Sequence, residues 1–132
     1  MPPPPLATGL PELDALLPGR GLSWGSVVEL TAPRGLGLST SLSLAVCAAA
    51  QRQAQRERKG IPWCAFLDPT RSLHAAGVAA CGVHLDRLLV VRPPADAAGR
   101  VAQRLSASKL FSVVVVDTGG VPGTRVRRWR GR

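Results

Sequence analysis

A chain of 132 residues suffices for one domain, and its 45% hydrophobic share and 19% charged share exclude a disordered class. The formal charge of +9 comes almost wholly from arginine, since fifteen of the seventeen basic residues are Arg. That balance favours polyanions or an acidic partner, and the absence of an uninterrupted apolar run of about eighteen residues excludes a helical membrane span.

In chain order, "MPPPPLAT" reads as an extended proline-rich arm over residues 1–8, without the charged start and apolar core of a secretory signal. "LPELDALLPGRG" follows, with Leu10, Leu13, Leu16 and Leu17 at helical spacing before a Pro-Gly stop. The β-branched run "SVVELT", Ser26 to Thr31, predicts a strand. After a Gly-rich stretch, "SLSLAVCAAAQRQAQRERK" is apolar early and polar late. That is a helix leaving the core, with Ser39 or Thr40 near its N-terminus.

"IPWCAFLD", Ile61 to Asp68, predicts a buried strand ending in an acid, followed by a short helix in "SLHAAGVAAC". "DRLLVVRP" predicts a third strand, "ADAAGRVAQRLSAS" a crossover helix, and "LFSVVVVDTGG" a fourth strand ending at Asp117. Continuous apolar strands alternating with helices specify an α/β fold: a parallel sheet covered by helices on both faces. The expected organisation is an arm (1–8), an α/β domain (9–118) and an Arg-rich tail (119–132).

Cys47, Cys64 and Cys81 form no CxxC pair and lie in apolar stretches, which predicts reduced, buried thiols in a cytoplasmic protein. His74 and His84 have no metal-ligand spacing, so no metal site is expected. The tail holds five arginines and no acid, and Arg125, Arg127, Arg128 and Arg130 are its candidate contacts to nucleic-acid phosphates.

Ligands in such sheets bind beyond the carboxyl ends of the strands. Asp68, Asp117 and the loop "APRGLGLST", Ala32 to Thr40, all fall at that edge. A phosphate loop of the form GxxxxGK[ST] needs glycines, a helix N-terminus, a lysine and a magnesium-binding hydroxyl. Here Ala32 stands for the first glycine, Gly37 for the second, Leu38 for the lysine and Ser39 for the hydroxyl. The turn and the hydroxyl are kept, and the cation is lost.

These elements, with the lead-in T-G-x-x-x-L-D (Thr8, Gly9, Leu13, Asp14), resemble the ATPase core of RecA-type recombinases over Leu6 to Thr118. The resemblance implies a RecA-like phosphate-loop core, cut short after the Asp117 strand. It also implies a vestigial nucleotide site at Arg34, Gly35, Gly37, Ser39, Thr40 and Asp117, with Asp117 matching the acid that supports the magnesium-bound water. The family's water-activating glutamate, two positions after the "FLD" aspartate, is Thr70. With lysine and glutamate both replaced, no catalytic residue and no cofactor are expected; ATP with magnesium is what the loop holds if it works, with Arg34 as a substitute cation.

The chain also resembles degenerate RecA-like accessory proteins of the ImuA type, and that resemblance implies a role in the bacterial DNA damage (SOS) response, as an adaptor in translesion synthesis. Its expected partner is an error-prone polymerase or that enzyme's Y-family-like companion, with DNA contact through the tail. Two alternatives stand beside it, an ATP-dependent RecA-like recombinase or regulator and a SulA-type cell-division inhibitor. A sheet ending at its fourth strand leaves an apolar face or strand edge uncovered, which predicts self-association or a hetero-complex.

Overall fold

The computed structural model describes residues 3–30 and 38–118. Its centre is a three-stranded parallel sheet made of β1 (Trp63–Leu67), β2 (Leu88–Val91) and β3 (Phe111–Val116), in the order β2-β1-β3. Around it lie α1 (Pro11–Leu16), α2 (Leu38–Arg56), α3 (Ala75–Ala80) and α4 (Ala98–Ala107). β1 is central: Cys64 to Leu67 pair with Leu88 to Val91 on one side and with Val113 to Val116 on the other.

Alternation along the strands sends successive side chains to opposite faces. Cys64 and Phe66 of β1, with Leu88, Val90, Val113 and Val115, pack under Leu44, Cys47 and Ala48 of α2 and Val78 of α3. On the other face, Leu67 and Val114 meet Ala98, Val101, Ala102 and Leu105 of α4. The result is helix on both faces of a parallel sheet. Small residues on both helices let the backbones approach the sheet, so Phe66, 1% exposed, supplies the largest buried side chain, a contribution of about 2–3 kcal/mol.

The expected strand at 26–31 does not form over its described part: Ser26 to Leu30 pair with nothing in the sheet, and Val27, Val28 and Leu30 are exposed. The four strands read from the sequence are therefore three among the described residues. A β-branched run becomes a strand only by pairing, and these residues have no ladder.

The leucine stripe of α1 likewise finds no core. The helix buries no residue, and Leu16 is 82% exposed. What anchors this end of the chain lies in the extended arm. Leu6 is buried against Val46, Ala49 and Ala50 of α2, and it bridges Leu22 through backbone hydrogen bonds of 2.8 and 2.7 Å. Gly21 makes that approach possible, because a Cβ there would sit 2.6 Å from the Leu6 carbonyl oxygen.

Gln51 ties α2 to the sheet. It is wholly buried; its Oε1 accepts from the His84 N–H at 2.8 Å, and its Nε2 donates to the carbonyls of Pro62 and Arg87 at 3.5 and 3.4 Å. One amide thus satisfies three backbone groups just ahead of β1 and β2. Gln51→Leu keeps the volume and orphans those groups, so we expect a loss of about 1–3 kcal/mol in a urea denaturation series.

The three cysteines are free thiols. Cys47 and Cys64 are fully buried, and the hydrogen bond that Cys47 shares with Cys64, together with burial, pushes the Cys47 thiol far up. Cys81 is half-buried. A thiol-reactive dye added to the native protein is expected to label Cys81 quickly and the other two only at the rate of unfolding.

Candidate functional site

The carboxyl edge of the sheet gathers the acids that the sequence placed there. Asp68 and Asp117 each continue the ladder one step past their strands, the Asp68 N–H donating to Val91 O at 2.8 Å and the Asp117 N–H to Leu67 O at 3.0 Å. Both carboxylates are thereby set at neighbouring strand ends by backbone pairing.

Asp68 is wholly buried. Its Oδ1 accepts from the Ser72 N–H at 3.0 Å and the Ser72 hydroxyl at 3.1 Å; its Oδ2 accepts from the Leu73 N–H at 3.0 Å and from Arg92 Nε at 3.3 Å. Burial by itself would raise the carboxyl pKa, but the N–H groups of Leu73 and Ser72, the Ser72 hydroxyl and Arg92 outweigh it and hold it below the ordinary value of 3.8. Arg92, just past β2, also donates to Leu73 O at 3.3 Å. The carboxylate therefore closes the turn after β1 and pins the residue that follows β2.

Thr70 stands where the resemblance calls for a glutamate. Its hydroxyl lies 3.5 Å from Asp68 Oδ1, 3.5 Å from Asp117 Oδ2 and 3.2 Å from Ser72 Oγ. A threonine hydroxyl has no basicity to take a proton from water, and its single proton can be given to one of the two acids at a time.

Ser39 and Thr40 lie in the first turn of α2, which begins at Leu38, rather than capping it from outside. The Ser39 carbonyl accepts from the Ser43 hydroxyl at 2.7 Å. Gln51 meets the residues ahead of the strands, and at 1.5 Å per residue the helix start at Leu38 lies about 20 Å back along α2. Arg34, Gly35 and Gly37 of the loop, and Arg125, Arg127, Arg128 and Arg130 of the tail, lie outside the described residues.

The lead-in is also a local lock. Asp14 Oδ1 accepts from the Thr8 N–H at 2.9 Å and the Thr8 hydroxyl at 2.7 Å, and the same hydroxyl accepts from the Leu10 N–H at 3.2 Å. These bonds from Thr8 hold the Asp14 carboxyl below its ordinary value. Gly9 between them has φ +85°, a conformation that favours glycine. The spacing of Thr8, Gly9 and Asp14 thus follows from closing a turn around α1.

Sequence reasoning missed Ser72 and Arg92 at this edge, and no pattern in "DPTRSL" or "VVRPP" marks them. Asp68→Ala leaves the Ser72 and Leu73 N–H groups and Arg92 Nε without their acceptor, and about 2–4 kcal/mol of stability should go with it. The depressed carboxyl contributes stability above its unfolded value and loses it as pH falls through the folded one. In denaturation at a series of pH values, the gap between the natural protein and Asp68→Asn should therefore be constant near neutrality and shrink below about pH 3.8.

No curated protein matches the chain. The model of one family, described as the MT3502 N-terminal domain, matches residues 15–132. That span takes in α2 to β3 with the whole carboxyl edge, and the chain belongs to the MT3502 N-terminal domain family.

Proposed function

We propose that this chain is a non-catalytic, RecA-like accessory protein of the bacterial DNA damage response, acting in the cytoplasm as a protein–protein adaptor in translesion synthesis. Its partner in this reading is an error-prone polymerase or that enzyme's Y-family-like companion. The observation that carries the non-catalytic part is the state of the carboxyl edge. Asp68 is saturated by Ser72, Leu73 and Arg92, and Thr70 bridges to Asp117 instead of presenting a base.

Phosphoryl transfer depends on a positioned nucleophile and on charge neutralisation at the terminal phosphates. Leu38 and Thr70 supply neither, so a nucleotide at this edge would meet the first turn of α2 and Asp117 without the lysine or the glutamate. The RecA-like ancestry in this reading rests on the sequence pattern, and the parallel α/β architecture supports it at the level of fold class. The link to DNA damage rests on the ImuA-type resemblance and the strongly basic composition.

Calorimetry with ATP and magnesium tests the reading directly, comparing the natural protein with Leu38→Lys. No heat from the natural protein at tens of micromolar is the expected outcome. Micromolar binding would give the lead to the ATP-dependent reading, with Arg34 or the backbone holding the phosphates.

A further inference from the structure

Among the described residues, the α4 side of the sheet is only half covered. Alternation places Trp63, Ala65 and Leu67 of β1 on this face, with Arg87, Leu89 and Val91 beside them in and just before β2. α4 packs on β3 and β1, its buried contacts being Leu67 and Val114. Among the described residues no helix lies over β2 on this face, where Leu89 is 37% exposed and Trp63 41% exposed. Both are large apolar side chains on a face that parallel sheets normally cover with helix.

Two cationic margins border this floor. On one, the Arg87 guanidinium lies 5.2 Å over the Trp63 ring, a cation–π contact that also shows the two side chains on one face. On the other, α4 crosses from β2 to β3 with the right hand such units take, which turns the Ala97, Val101 and Arg104 flank toward β2. Arg100 and Arg104 stand one turn apart on α4, and both are exposed. Asp86, next to Arg87, and Asp96, before α4, are the acids nearest in sequence, and the three arginines Arg87, Arg100 and Arg104 outnumber them.

We propose that this groove docks a helix of a protein partner, one with an apolar stripe and acidic flanks. α4 packs on β3 and β1, and a second helix beside it, at the usual spacing of about 8–10 Å, would lie over β2. The apolar floor of Leu89 and Val91 selects a protein side-chain stripe over a phosphate backbone, and Arg87, Arg100 and Arg104 select acid on both sides of that stripe. The proposal extends the adaptor reading by naming where a partner binds and through what chemistry. Its test involves neither nucleotide nor DNA damage, so the two succeed or fail separately.

The test is a selection of displayed random peptides on the full chain, counter-selected on Leu89→Glu. The strongest peptide is then synthesised and titrated. Expected are peptides with apolar residues three and four apart and Asp or Glu between them. Leu89→Glu and the separate pair Arg100→Glu/Arg104→Glu should each weaken binding at least about tenfold, with amide shifts centred on Trp63, Leu89 and Val101. All three positions changed are exposed or at the surface, and an unaltered circular dichroism melt establishes that the variants fold. No selected peptide, basic or extended peptides, or an affinity unchanged in both variants would overturn the proposal. So would a dimer in light scattering that Leu89→Glu dissolves, since a second copy would then cover the face, or displacement of the peptide by a single-stranded oligonucleotide.

Discussion

The Asp68 carboxylate holds together the end of the molecule where all three strands stop. β1 has partners on both sides, and the residue that ends it is a buried anion whose hydrogen bonds reach the turn after β1 and the arginine after β2. Such a group is tolerable in a core only with nearly all of its lone pairs engaged. Ser72, Leu73 and Arg92 must therefore be held where they are. The turn from Asp68 to Leu73 inherits its shape from that requirement, and Leu73 is drawn into the core under α2 and α3.

The opposite end of the sheet is governed by a neutral group. Gln51 supplies the bonds that the chain needs on entering β1 and β2, so α2 is fixed at a carboxamide near its middle and at its small-residue face. A charged tie on one edge and an uncharged tie on the other give the two ends different sensitivities. Acid weakens the first and leaves the second intact.

Much of this was legible in the sequence, for reasons that differ by element. β1 and β3 could be read because a sheet covered on both faces demands continuous apolar strands, and "CAFL" and "VVVV" are such runs. α2 could be read because its apolar half is long enough to show a buried face. "SVVEL" carried the same composition signal as β3 and formed no strand in its described part, since residue type cannot report whether a pairing partner is present. Gln51 was hidden for the opposite reason: it opens a run of polar residues and looks like the start of the solvent-facing half of the helix. At the candidate site, Asp68 and Asp117 were legible from their places at strand ends, whereas Ser72 and Arg92 were not. Their roles come from a turn and a neighbouring strand, and neither leaves a local pattern. Thr70 was legible as a missing base, and its position between the two acids became visible in three dimensions.

The strand order has a consequence for the time course of folding. β1 lies between β2, the next strand in the chain, and β3, the last of the three, so its two ladders close over very different sequence separations. As the chain is synthesised from its N-terminus, β1 and β2 can pair once Val91 is available, but the far edge of β1 stays open until Val116 has emerged. Throughout that interval the backbone groups of Cys64 to Leu67 that β3 will satisfy are exposed to any extended segment nearby. A nascent chain paused between α4 and β3 is therefore the form of this protein that most needs a chaperone.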